Sequence, residues 1–212
     1  MTQPAVDHRR ATAQRNAAAI LDATERLLAR RTPLSIVAIA AEAGVSVETV
    51  YKAFGGKSGL VSAIYDRGLV GPEPVPAYRR ADEIRERETD PRVIMETWGT
   101  IASEVSAVVS PVTRLVRAAA TADPDLTSLL QAHNDRREAR ARHHARFLKE
   151  RGYLRDGVSQ AEATDVIWTC TSDELYDLLV GQRGWSLPRF ARFLANFMIT
   201  ALLPPEPASD PQ

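Results

Sequence analysis

The stretch from Ala40 to Leu60, AAEAGVSVETVYKAFGGKSGL, decides how this chain is read. Within it stand a glycine turn, a very short helix and a Gly-Gly-Lys joint. Just before it, Ser35 is a plausible N-cap, and Ile36, Ile39, Ala40 and Ala43 fall on one face of a helix of about two turns. Gly44 then occupies the place where a left-handed residue ends a helix at least cost. Ser46 caps a second short helix, Val47 to Ala53, and another starts at Gly56 or Lys57 and runs through Leu60 and Ile64 towards Leu69. Ala40 is small enough for close helix crossing, while Ile39, Ala43, Val45 and Val50 seal the angle. Together they read as a helix-turn-helix.

The side chains left on the outer face are Val47, Glu48, Thr49, Tyr51 and Lys52, a set suited to base edges and phosphates. Free amides at the start of the following helix bind a phosphate, and Lys57 adds a positive charge there. Tyr51 can donate its hydroxyl to a neighbouring phosphate. Glu48 repels phosphates yet can accept from a cytosine amino group, so its role stays open. An ordinary helical hairpin with solvated lysines is the plain alternative. The coincidence of turn, joint and a preceding amphipathic helix weighs against it.

That preceding helix is RNAAAILDATERLLAR, Arg15 to Arg30, closed by the break at Thr32-Pro33. After the helix-turn-helix, GPEPVPAY ends or bends the chain with three prolines. Everything further on keeps helical spacing, and the expected fold class is all-α. Asp90-Pro91 opens a long helix with Ile94, Trp98, Ile101, Val105 and Val108 in one stripe, expected to stop at Ser110-Pro111. A shorter helix then covers Val112 to Ala120, and Asp123-Pro124 opens one reaching Arg151, before Gly152. Ser159 and Glu162 form a capping box ahead of ATDVIWTCTSDELYDLLV, and Ser186-Leu187-Pro188 opens the last helix, Phe190 to Leu203. The expected domains are 1–70, 71–204 and a disordered tail, 205–212.

Composition bounds the function classes. The 212 residues are 44% apolar, enough for a sizeable core. The 27 basic and 27 acidic residues cancel, so bulk charge names no partner, although residues 1–70 carry a mild positive excess. A lone cysteine, Cys170, excludes an internal disulfide and suits a reducing cytosol. No apolar signal segment or membrane-length stretch is present, so a soluble, cytoplasmic protein is expected. An enzyme has little support: no Glu-x-x-His pair supplies a di-metal site, and His143 and His144 diverge by about 100° on a helix. No cofactor or metal is expected. A helical adaptor that binds protein instead of DNA is the other rival, distinguished by the absence of salt-sensitive DNA binding.

ILDATERLL, IAAEAGVSVETVYKAFGGKSGL and the helical remainder resemble the tetracycline-repressor (TetR) family of bacterial transcription regulators, and DELYDLLVGQRGWS resembles a segment of one of its branches. The turn RRTPLS departs from the family by lacking its usual glycine. The resemblance implies a homodimer on a palindromic operator, with a C-terminal domain that binds a small effector and dimerises. Carried over residue by residue, it implies DNA contacts at Ser46, Val47, Thr49, Tyr51, Lys52 and Lys57. Arg9, Arg10 and Arg15 are softer candidates, as a basic arm. For dimerisation, the broad apolar face of the last helix offers Phe190, Phe193, Leu194 and Phe197, with Leu175, Leu178 and Leu179 before it. Burial within one chain is the alternative. For a mostly apolar effector, the candidate walls are Trp98, Ile101, Leu115, Leu130 and Trp168, and His133 and Arg137 are the polar groups on the same stripe as His144.

Overall fold

The computed structural model describes residues 3–30, 35–70, 75–121 and 124–205. Among them every regular element is helical, which establishes the all-α class. The elements are α1 (Gln3–Ala29), α2 (Ile36–Ala43), α3 (Val47–Phe54), α4 (Lys57–Val70), α5 (Ala77–Arg87), α6 (Pro91–Ala120), α7 (Pro124–Glu150), α8 (Gln160–Cys170), α9 (Asp173–Tyr176) and α10 (Leu187–Leu202). A π-helical stretch, Asp177–Gln182, continues α9. None of these helices is long and apolar enough to cross a membrane.

The chain divides into two compact units, residues 1–67 with 111–130, and residues 68–110 with 131–212. The division departs from the expected boundary at residue 70, because 111–130 groups with the N-terminal part. The expected tail, apart from Pro205, and the Thr32-Pro33 break lie outside the described residues.

In the first unit, Ile20, Ala23 and Leu27 of α1 are buried with Ile39 and Ala40 of α2, Val50 of α3, and Leu60, Val61, Ile64 and Tyr65 of α4. Each large aliphatic side chain so buried contributes about 1.5 to 3 kcal/mol. Charged pairs fix the exposed edges of this core. Glu42 of α2 receives Arg26 and Arg30, each at 2.9 Å, and these hydrogen bonds hold its carboxyl below the usual range. Arg67 reaches Asp22 at 2.6 Å and Glu25 at 3.4 Å. α1 begins far before Arg15, so Arg9, Arg10 and Arg15 sit on helix and not on an extended arm.

The second unit has its core between α5, α6, α7, α8 and α10, built on Ile94, Met95, Trp98, Leu148, Ile167, Phe190, Leu194 and Leu202. Three expectations are corrected here. α5 was not foreseen, although Ala77, Ala81 and Ile84 have helical spacing and pack on this core. α6 does not stop at Pro111, which lies inside it. The break costs an amide hydrogen bond, but Val109, Val112 and Val116 are all buried, so the apolar stripe continues across the proline. The helix over Ala163 to Val180 is interrupted after Cys170, where Ser172 caps a new start by accepting from the Leu175 amide. The capping box at Ser159 and Glu162 is present with both of its bonds.

Candidate nucleic-acid interface and effector cavity

Two local devices shape the helix-turn-helix. Gly44 adopts φ 68° at the end of α2, and the Val45 amide bonds back to the Ala40 carbonyl at 3.0 Å. Ser35 stands in extended backbone before α2, yet its side chain makes no capping bond. Ser46 does cap α3: its Oγ accepts from the Thr49 amide at 3.1 Å and lies 2.8 Å from the Thr49 hydroxyl. Its place in the motif is therefore to fix the first turn of α3, and it orients Thr49.

Val50 is the fully buried anchor of α3, while Val47, Glu48, Tyr51 and Lys52 are exposed and Thr49 is half-buried. The exposed set forms one surface at about 100° steps around the anchor. α3 ends at Gly55 in the left-handed region, whose amide donates to the Tyr51 carbonyl at 2.7 Å. α4 starts two residues later, at Lys57. A Cβ on Gly59 would stand 1.8 Å from the Phe54 carbonyl oxygen, so a glycine is required where the first turn of α4 crosses the end of α3. This sharp joint leaves the first amides of α4 without helical acceptors, beside the half-buried Lys57.

The second unit holds a cavity of about 300 Å³. Its walls are mainly apolar, from Leu69 at the end of α4, Ala77 and Ala81 of α5, Trp98, Ile101, Val105 and Val109 of α6, Ile167 of α8 and Met198 of α10. Trp98 is fixed by its indole N–H, which donates to the Ala81 carbonyl at 3.1 Å. Of the expected walls, Trp98 and Ile101 line the cavity; Leu115, Leu130 and Trp168 do not. Leu115 and Leu130 fall in the other compact unit. Trp168 is 38% exposed, because α8 turns Ala163, Thr164, Ile167 and Cys170 inward and the residue after Ile167 points elsewhere.

His133 lines the cavity with its Nε2 3.4 Å from Asp173 Oδ2, and Ser110 donates to Asp173 Oδ1 at 2.7 Å. Arg137 also lines it, but its guanidinium donates to the Thr171 and Trp168 carbonyls at 3.0 and 2.9 Å and stacks over the Trp168 ring. It serves the C-terminal carbonyls of α8 as a cationic cap. Arg140 is bound to Asp82 and to the Tyr78 carbonyl. Asp173 and Arg140 were not foreseen as cavity residues; Arg140 extends the stripe of His133, Arg137 and His144 by helical spacing, whereas nothing in the sequence pairs Asp173 with His133. Cys170 lines the cavity as well, its thiol pushed up to about 12 by burial and so neutral.

The last helix separates into two faces. Phe190 and Leu194 are fully buried in the core of their own chain, which removes them from the expected dimer face. Leu178 and Phe197 are 49% and 43% exposed, and Leu175, Leu179 and Phe193 are half-buried. Phe193 stacks on Phe197 with ring centres 6.2 Å apart, and Trp185 meets Phe193 edge-on at 5.6 Å.

No curated protein matches the chain. Several solved structures share its fold. SmeT, in a complex with triclosan, is 19% identical, with 93% of this chain and 97% of that one covered and a TM-score of 0.66. NalD, the secondary repressor of the MexAB-OprM multidrug efflux pump in Pseudomonas aeruginosa, is 18% identical over 91% and 98% of the two chains, also at 0.66. The fatty acid degradation regulator FadR from Bacillus halodurans is 18% identical over 87% and 94%, again at 0.66. Residues 20–64, which hold the inner half of α1, the turn, α3 and the joint, match the bacterial regulatory proteins of the tetR family. The likeness to this family thus covers the helix-turn-helix segment, while the solved structures share the fold of nearly the whole chain.

Proposed function

We propose that the chain is a transcriptional repressor that binds a palindromic operator as a homodimer and is released by a small, mostly apolar effector. The match of residues 20–64 to the tetR family supports the coarser reading, a DNA-binding transcription regulator and not an enzyme. Val47, Thr49, Tyr51 and Lys52 are assigned to the operator grooves and backbone, Lys57 and the first amides of α4 to a phosphate, and Ser46 to holding Thr49 in place. The effector is assigned to the cavity around Trp98, Ile101, His133 and Arg137. Leu175, Leu178, Leu179, Phe193 and Phe197 are assigned to the dimer contact, since large apolar groups on a surface mark an interaction site when they gather.

The observation that carries this reading concerns α4. Its first residue is Lys57 at the phosphate joint, and Leu69 in its last turn lines the cavity. One helix thus supplies a residue to each site, and a ligand that displaces Leu69 has differential affinity for two positions of α4. The test is operator binding with and without effector: DNA-bound and effector-bound forms are expected to exclude each other. Simultaneous binding with unchanged affinities would remove the coupling from the account.

A further inference from the structure

His144 lines the cavity at 7% exposure, and among the described residues its Nδ1 has no hydrogen-bond partner. Its ring lies against Trp98 with centres 4.2 Å apart. Four other polar side chains of the lining are engaged by the protein. Asp173 receives Ser110 and faces His133, Arg137 serves the end of α8, Arg140 holds Asp82, and the Thr171 hydroxyl donates to the Trp168 carbonyl at 3.1 Å. A buried polar atom without a partner is costly in the empty protein, and a ligand that supplies one recovers that cost.

Burial holds the His144 imidazolium form well out of reach, aided by the positive charges of Arg140, Arg85 and His143. The ring is neutral, so each nitrogen is either a donor or an acceptor according to tautomer. A hydroxyl both donates and accepts, and suits either. The charges of the wall select further. Arg136, Arg137 and Arg140 line it against one acid, Asp173, whose carboxylate is already used, so a cation is disfavoured. For an anion, the guanidinium groups of Arg137 and Arg140 are already bound to carbonyls and to Asp82.

We infer that the effector is an uncharged, largely apolar molecule with a hydroxyl group, and that His144 binds this hydroxyl on the face of Trp98. The inference rests on the reading of the cavity as the effector site and names the ligand class for it.

The experiment uses the full-length protein without DNA and four probes: 1-naphthol, its isostere 1-methylnaphthalene, 1-naphthoate and 1-naphthylmethylammonium. The affinity ratio of 1-naphthol to 1-methylnaphthalene is expected to fall about tenfold from native protein to His144→Phe, the worth of one neutral hydrogen bond. Both ions are expected to bind more weakly than 1-naphthol. In native protein, nitrogen-15 NMR should show a His144 ring-nitrogen resonance moving with 1-naphthol and not with 1-methylnaphthalene, a readout that needs no variant. An unchanged ratio, an unmoved resonance, tighter binding of either ion, or no binding of any probe would overturn the inference. None of these measurements contains an operator, so loss of the regulator reading would show separately, as failure to bind any DNA site.

Discussion

A Cβ placed on Gly68 would come within 2.6 Å of Val109 Cγ2 and 3.3 Å of Val108 Cγ1. The last turn of α4 therefore lies against α6 at a distance that any side chain would disturb. Val109 lines the cavity, as does Leu69 beside Gly68. Gly68→Val should shift α4 against α6 and uncouple the sites, with effector-induced operator release weakened by the family of couplings worth about 1 to 3 kcal/mol. Titration of operator affinity against effector concentration checks this. Normal release in the variant would detach Gly68 from the mechanism.

Lys57 and Thr49 are expected to fail differently. Lys57→Ala should weaken binding to all sequences alike and lower the salt slope by about one unit per contacted subunit, because a phosphate contact positions without reading. Thr49→Ala should alter sequence preference by about 1 to 3 kcal/mol at one base pair of the half-site. Binding isotherms at several salt concentrations, on operator and scrambled duplexes, separate the two. An unchanged slope for Lys57→Ala would refute the phosphate assignment.

The two faces of α10 make a paired prediction. Phe190 is fully buried, and Phe190→Ala should lower stability by about 3 to 5 kcal/mol through the cavity it leaves. Phe197 is 43% exposed, and Phe197→Glu should leave each chain folded while converting dimer to monomer in sedimentation. A native dimer in Phe197→Glu would place the interface elsewhere.

Asp173 ties α6 and α7 to α9. Burial pushes its carboxyl up, but the bonds from His133 and Ser110 and the charges of His133 and Arg137 outweigh this and hold it below the usual range. A depressed folded-state value means stabilisation present above the unfolded value and lost as pH falls through the folded one. Asp173→Ala should therefore cost about 1 to 3 kcal/mol near neutrality, and the difference from native should shrink below about pH 4. Denaturant unfolding at pH 7 and pH 3 measures both. A difference that grew in acid would contradict the sign.

The helix-turn-helix was legible because its signals are local: Gly44, the Ser46 cap and the Gly55-Gly56 joint each act within four residues. The cavity was legible only in part. Trp98 and Ile101 follow from the stripe of α6 and His133 from that of α7, whereas Trp168 differs from the inward Ile167 by one helical step that an apolar count does not resolve. Leu115 and Leu130 were misplaced for another reason. Pro111 suggested a break, and the burial that carries α6 through it depends on residues distant in sequence. Asp173 is harder still, because its meaning comes from Ser110 and His133 on other helices. The dimer face failed at Phe190 and Leu194 since an apolar face broad enough for two surfaces does not say which half meets its own core.

The central claim, that α3 reads DNA as one half of a symmetric pair, is tested most directly by selecting binding sites from random duplexes with the native protein. The account predicts enrichment of an inverted repeat whose half-sites lie about one helical turn apart, 34 to 36 Å, or a multiple of it, read by two copies of the chain. Enrichment of an asymmetric single box, or of no sequence at all, would contradict it.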